Sequence, residues 1–419
     1  MDTTQTAAGP NRQAIIFILI SAFLGSMGIG LLNPVAPFLV SRYISDPSTI
    51  GIALGWLTSA YAICQFIAAP GLGALSDRFG RRPILLICLL GSAVGYLFMG
   101  IGGALWVLFV GRIIDGITGG NISVAYAYIA DVTPPQQRGK FYGWVGAVFG
   151  VGFIIGPALG GLVAKFGIEA PLYLASAVTF ANVLYGLVAM PESLSKADRT
   201  PSIRVSQLSP FGILAKVFAI PQLRWLLVAM FLYSLPFAAL QSNLGLFAKD
   251  SLNWDATTTG GIFALVGITD IVVQGLLLEQ LIKRFGEGRV AIGGLFAEIV
   301  GYLLIAAVVL VHSAVPLFAG TIIFAMGDGL LGPSLTGLIS RGAGRRSQGM
   351  VQGGSLSIQS VARIIGPLLG GELYDVLGHT SPYLAGAVIV VIAILVIGTA
   401  IPALDRVSAP KEEAPSAWA

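Results

Sequence analysis

Residues 73–83 read Gly73-Ala74-Leu75-Ser76-Asp77-Arg78-Phe79-Gly80-Arg81-Arg82-Pro83. Four charged residues with a glycine and a proline separate two apolar runs, 50–75 and 82–104. A helix needs about 20 apolar residues to cross a bilayer, and both runs reach that length. The segment therefore reads as a tight turn between two membrane spans, with its three arginines held on one side. Along the rest of the chain the same alternation of apolar runs and polar breaks predicts twelve spans: 14–40, 50–75, 82–104, 105–130, 140–164, 170–190, 222–248, 258–282, 289–312, 314–338, 350–372 and 381–402. They are called spans 1 to 12 below. The first has an Arg12 flank and no small-residue cleavage site, so it reads as a retained span and not a signal peptide.

Composition leads to the same class. Of 419 residues, 55% are hydrophobic and 11% charged, and the mean hydropathy is +0.85. A soluble domain averages about 25% charged residues. This chain has too little polar surface to cover a body of its size in water. The predicted fold is an all-α integral membrane protein with the lipid bilayer as its main partner. Cys64 and Cys88 lie in apolar runs and imply no disulfide framework. His312 and His379 fit no metal-ligand spacing. No phosphate-binding loop or nucleophile–base pair is present, so no enzyme, cofactor or metal is expected.

A net charge of +4 suggests nucleic acid in a soluble chain. Here the distribution gives another reason. Of the 24 Lys and Arg residues, 19 fall at the termini or in loops on the same side as the termini. Arg42, Lys165 and Lys249 lie opposite, and Arg112 and Arg363 lie inside spans. Basic residues collect on the cytoplasmic side of membrane proteins. Both termini are therefore expected in the cytoplasm, with no nucleic-acid partner. Short loops and the lack of a targeting segment point to a bacterial cytoplasmic (inner) membrane, and a monomer is expected.

The chain also repeats itself. Arg78-Phe79-Gly80 recurs as Arg284-Phe285-Gly286, and the Gly-Pro-x-x-Gly-Gly run at 156–161 recurs at 366–371. Gly139 and Gly143 recur as Gly349 and Gly353. Two similar six-span halves about a pseudo-twofold axis along the membrane normal form a transporter architecture. The expected organisation is a first bundle at 1–190, a cytoplasmic linker at 191–221, a second bundle at 222–402 and a disordered cytoplasmic tail at 403–419. The linker carries Pro191, Pro201, Pro210 and Pro221, and its residues 211–220 read as a short amphipathic helix on the membrane surface.

Three motifs carry a family resemblance. The first is the 73–83 turn. The second is Arg112 in span 4, followed by Gly116, Gly119 and Gly120. The third is Gly143-x8-Gly152-x3-Gly156-Pro157-x2-Gly160-Gly161 in span 5. Together they resemble the major facilitator superfamily, and in particular its twelve-span drug:proton antiporters. The stretches Gly28-Ile29-Gly30 with Pro34 and Pro37, Gly116-Ile117-Thr118-Gly119, and Glu298 followed by Gly301-Tyr302 are similar to the tetracycline-efflux branch. The resemblance implies a conformational latch at Gly73, Asp77, Arg78, Gly80 and Arg81. Asp77 would meet the N-terminal end of span 11, Arg81 would pair with Asp131, and both contacts would form only when the cytoplasmic side is closed. It implies that Gly143, Gly152, Gly156, Pro157, Gly160 and Gly161 form the antiporter motif, where small residues admit close helix approach. Two departures stand out. Lys283 occupies the position equivalent to Asp77, and Gly25 replaces an acid that the tetracycline branch carries in span 1.

Charge inside a bilayer is costly and usually functional. Arg112, Asp115, Asp270, Glu298, Asp328 and Arg363 lie well within spans. Arg112 and Asp115 are three residues apart and share a helix face. Four acids against two arginines leave an excess of negative charge, so Asp115, Glu298, Asp328 and Asp270 are candidate proton carriers, with Asp115 beside Arg112 foremost. Polar candidates for a central cavity are Asn33, Gln65, Asn121, Gln241, Asn243, Gln274, Gln359 and Arg363. Pro191-Glu192-Ser193 resembles a fragment of a sugar-porter signature whose remainder is missing. The leading expectation is proton-coupled export of small amphipathic compounds. A uniporter or symporter of a native metabolite such as a siderophore, and a non-transporting membrane sensor, are the competing readings.

Overall fold

The computed structural model describes residues 12–201, 210–343 and 348–408. Among them every regular element is helical. Span 1 is Arg12–Leu32, broken at residues 33–35 around Pro34 and continued by Ala36–Val40. Span 2 is Ile50–Phe79 and span 3 is Arg81–Ile101. Span 4 is Leu105–Thr118 and Asn121–Val132, parted at Gly119 and Gly120. Spans 5 and 6 are Pro135–Val163 and Ala170–Ala189. In the second half span 7 is Arg224–Leu252. Span 8 joins Ala256–Val272 to Leu278–Phe285 through a π-helical turn, Val273–Leu277. Spans 9 to 12 are Glu287–Val311, Val315–Gly342, Gln348–Leu377 and Ser381–Ser408.

Eleven helices among the described residues are long and apolar enough to cross a membrane. Span 11 has the length, at 30 residues, but not the apolarity. Gln352, Ser355, Ser357, Gln359, Ser360 and Arg363 lower it. The surface supplies the reason these helices need a bilayer: Trp106, Val188, Leu310 and Leu395 point outward uncovered.

Two sequence boundaries shift. The deciding turn is shorter than its charge run: span 2 continues through Asp77 and Arg78, and Gly80 alone joins it to span 3. Its φ of 109° is a conformation that favours glycine, and Gly286 repeats it at 81°. The last helix runs to Ser408, past the expected start of the tail at 403, because Ala403, Leu404 and Arg406 favour helix. Residues 409–419 lie outside the described residues.

Within the first half span 1 packs on spans 5 and 6, span 3 on spans 4 and 6, and span 2 on span 4. The second half reproduces each pair six spans later: 7 on 11 and 12, 9 on 10 and 12, 8 on 10. The halves meet along two seams, span 2 on span 11 and span 5 on span 8. These two pairs exchange under the same shift, so the pairing has the pseudo-twofold symmetry the repeat predicts.

Both seams close at the end remote from the 73–83 turn. A Cβ on Gly161 would fall 2.8 Å from Gly260 Cα, and one on Gly371 would fall 2.7 Å from the Gly51 carbonyl carbon. Toward the opposite, basic end the halves part. Gly139, Gly143, Gly146 and Gly150 of span 5 have nothing within 4 Å of a built Cβ. The short helix Phe211–Phe218 forms as expected but is bound to protein on one face. Val217 is buried against Gly354 of span 11, and Phe211 meets Phe66 of span 2 edge-on at 5.5 Å. It braces the span 2–span 11 seam.

Candidate functional site

Between the halves lies a cavity of about 430 Å³. The first half contributes Asn33, Tyr61, Gln65, Arg112 and a stretch of span 5 from Gly146 to Ile154. The second contributes Phe237, Gln241, Asp270, Gln274, Asp328 and Arg363. An open depression of about 480 Å³ near Lys249 and Trp254 lies at the closed end, away from these charges.

Local helix chemistry places the charged groups. Gly116 lets span 4 rest on span 2, where a Cβ would fall 2.7 Å from the Tyr61 carbonyl oxygen. That approach sets the Arg112 guanidinium 4.8 Å from the Tyr61 ring centroid, a cation–π contact. Arg112 Nη1 lies 3.6 Å from Asp115 Oδ2, and both residues are buried. Arg112 lines the cavity and Asp115 sits behind it. Across the cavity, Gly329 draws span 10 against span 8, so that a Cβ there would lie 2.7 Å from Asp270 Oδ1. Asp270 and Asp328 share that wall and are half-buried.

Of the cavity candidates, Asn33, Gln65, Gln241, Gln274 and Arg363 line it. Asn121, Gln359 and Asn243 do not. Asn121 starts the second segment of span 4 beyond the Gly119–Gly120 break, which resets the helix face. Gln359 turns toward Met230, its Nε2 3.7 Å from the sulfur. Asn243 is buried against Gly370. Glu298 is also apart from the cavity. It is buried in the seam of spans 9 and 10 beside Gly327, and neither carboxylate oxygen has a hydrogen-bond partner among the described residues.

The span 5 glycines divide by neighbour. Gly152, Gly156 and Gly160 lie on span 1, and a Cβ on Gly156 would fall 2.5 Å from the Met27 carbonyl oxygen. Pro157 packs on Gly30, and Gly161 packs on span 8. Gly143 departs from the expected close approach, because it lies in the part of span 5 that faces open space.

At the basic rim Arg81 is buried and is the hub of a cluster. Its guanidinium donates to Asp77, to Ser76 Oγ at 2.7 Å and to Asp131 Oδ2 at 3.0 Å. Its backbone N–H donates to Glu192 Oε1 at 2.8 Å. Glu192 also accepts from the backbone N–H groups of Ser193 and Leu194, and Ser193 Oγ donates to Asp131 at 2.9 Å. The Arg81–Asp131 pair is thus formed while the halves are parted at this end, contrary to the expectation that it needs closure. The reason is that both residues belong to one half. Here Asp77 is held by Arg81. Gly73 faces open space, and Arg78 stacks on Phe79. Sequence reasoning noted Glu192 only within the sugar-porter fragment and gave it no place at the rim; the signal available was an acid directly after span 6, on the side of the three arginines.

The second half carries a sign-reversed copy of this pair. Glu287 stands at the repeat position of Arg81 and Arg341 at that of Asp131, and Arg341 Nε lies 2.9 Å from Glu287 Oε2. Lys283, in the place of Asp77, pairs with Glu279. At the closed end a carboxylate bridges the halves. Asp375 of span 11 accepts from the backbone N–H groups of Gly51 at 3.1 Å and Ile52 at 2.7 Å, at the start of span 2. A helix N-terminus has free N–H donors and favours negative charge.

Comparison with known proteins gives a consistent picture. The family model for the Major Facilitator Superfamily matches residues 18–367 and 275–419. The chain is 36% identical over 364 residues to the class C tetracycline resistance protein of Escherichia coli, covering 87% of this chain and 90% of that protein. It is 31% identical over 385 residues to multidrug resistance protein 2 of Bacillus subtilis (strain 168), covering 91% and 94%. Among solved structures it is similar to the human organic anion transporter MFSD10 (TETRAN), at 25% identity and a TM-score of 0.68, covering 93% of this chain and 99% of that one.

Proposed function

Because the chain belongs to the Major Facilitator Superfamily, we propose that it is a proton-coupled exporter of small amphipathic organic compounds, working by alternating access. The observation that carries the reading is the cavity between two pseudo-symmetric halves, apolar in most of its lining and furnished with Arg112, Asp270, Asp328 and Arg363. Such a site suits a compound with an apolar body and few polar groups. The tetracycline and multidrug resistance relatives support export as the direction. Residues 1–190 and 222–402 act as the two moving bodies, joined by the linker 191–221.

The basic end is assigned to the cytoplasm, with both termini, in the inner membrane of a bacterium. The structure is then open inward, ready to load. Closure brings the basic ends of the halves together, and Asp77 exchanges Arg81 for the N-terminal end of span 11. Opening at the far side separates Gly51 from Gly371 and Gly161 from Gly260. Protons enter by the far side. Asp115 takes one there, which frees Arg112 from its counter-charge and couples release of the compound to proton uptake. Asp270 and Asp328 are the alternative carriers. The protein works as a monomer, since each chain holds a complete cavity.

The test uses purified protein in liposomes with an imposed pH gradient, with tetracycline as substrate and internal pH followed by a dye. Export coupled to protons moves the two in opposite directions. Movement in the same direction identifies a symporter, substrate flux without protons a uniporter, and no movement of either sinks the transport reading.

A further inference from the structure

We propose that Arg363 is the anchor for an acidic group on the transported compound, so that the preferred substrates are amphipathic organic anions or zwitterions. The inference deepens the transport reading and rests on it.

The argument begins from charge balance. Arg112 is neutralised by Asp115, and Arg81 by Asp77 and Asp131. Arg363 lines the cavity, is exposed to it, and has no ion pair among the described residues. A guanidinium at membrane depth without a counter-ion is costly. The carboxylates that share the cavity, Asp270 of span 8 and Asp328 of span 10, form no salt bridge with it among the described residues. Tyr61 of the first half lines the same cavity. Tyr61 accepts from Gln65 Nε2 at 3.0 Å through its hydroxyl oxygen, which leaves that hydroxyl hydrogen free to donate.

A planar guanidinium in a cavity that also presents a phenol matches a carboxylate or another planar oxyanion. The fork gives two parallel N–H···O bonds and the Tyr61 hydroxyl supplies a further donor. Ile29, Phe149, Phe153 and Phe237 offer apolar walls for the rest of the molecule. A basic group on the same compound falls to Asp270 and Asp328. Tyr61 also carries Arg112 on its ring face, so an anion bound at Arg363 shares the cavity with the arginine of the Arg112–Asp115 pair. Substrate charge and proton occupancy therefore bear on adjoining groups.

The probes are dansylglycine and dansylglycinamide, which share an apolar ring system and differ in the carboxylate. Their binding to the purified full-length protein is followed by fluorescence without any gradient. The wild type should bind the acid about tenfold more tightly than the amide, the size expected of one charge-assisted contact. Arg363→Gln should remove that preference by weakening the acid alone, with amide binding serving as the check that the cavity is intact. Arg363→Lys, which keeps the charge and loses the fork, should retain a reduced preference. Equal binding of the two probes by the wild type, or no saturable binding of the acid, overturns the proposal. So does a preference that survives Arg363→Gln, or one wholly absent from a folded Arg363→Lys variant. Binding here needs no proton gradient. A protein that prefers the acid but moves no protons with substrate therefore disproves coupled export and leaves the anion site standing.

Discussion

Asp115 and Glu298 are both buried carboxylates, and they differ in what faces them. Asp115 has a guanidinium 3.6 Å away that itself lines the cavity, whereas Glu298 is fully buried with no hydrogen-bond partner among the described residues. Asp115→Asn should abolish accumulation of substrate against a gradient while downhill exchange persists, measured in the same liposomes. Glu298→Gln should leave coupling unchanged, because the residue is fully buried and does not line the cavity; loss of coupling in that variant would move the proton to span 9. A second residue-scale prediction concerns Asp255, which caps span 8 by accepting from the Thr258 backbone N–H at 2.8 Å. The Thr258 hydroxyl and backbone bonds hold its carboxyl below the ordinary carboxylate range. Its contribution is complete above the unfolded value of about 3.9 and fades as pH falls through the lower folded value. Asp255→Ala should cost about 1 kcal/mol at pH 7, the usual worth of such a cap, and little once the pH lies below the folded value. Equal thermal destabilisation at both pH values would dismiss the cap. At this scale the sequence was informative about which residues carry charge inside the bilayer and poor about their neighbours. Arg112 with Asp115 was readable because three residues on a helix fix a face. Nothing local distinguishes Gln359 against a methionine from Gln274 in a cavity.

At the scale of elements, span 5 meets span 1 through backbone. Gly156→Leu should halt transport, since its Cβ alone would press on the Met27 carbonyl oxygen and on Gly30. Wild-type turnover by a monodisperse Gly156→Leu protein would refute this contact. The rim pairs permit a sharper experiment. Arg81–Asp131 and Glu287–Arg341 occupy equivalent places with opposite signs. The backbone therefore accommodates either order. Arg81→Glu should be inactive, and Arg81→Glu with Asp131→Arg should recover a measurable part of the transport rate; a double variant as inactive as the single one would show that Asp77 demands a cation at 81. The spans were legible because apolar length is a local property. Their ends were less so, since a glycine at positive φ lets charged residues stay helical to the last turn. Glu192 could not be assigned its partner, because the contact to Arg81 crosses 111 positions.

For the whole molecule, the seams decide which end is open. Asp375 caps a helix of the other half, an interaction that exists only while the far end is shut. Asp375→Asn keeps the shape and removes the charge from a helix N-terminus, worth roughly 0.3–1 kcal/mol. It should shift the population toward the far-open state by about two- to fivefold. Spin labels placed at Arg42 and His379 would report the change as a longer distance, and an unchanged distribution would exclude Asp375 as a gate. The duplication that makes two states available was visible in the sequence as an offset repeat. The state itself was not, because one sequence has to satisfy both.

The reversed rim pairs also bear on how the chain is made. The first six spans leave the ribosome before the second six, and the two sets are alike enough to be mistaken for one another. Were span 10 to dock where span 4 belongs, Arg341 would meet Arg81; were span 4 to dock beside span 9, Asp131 would meet Glu287. Like charges would face each other in either mispairing, and each half would be steered back to its own partners.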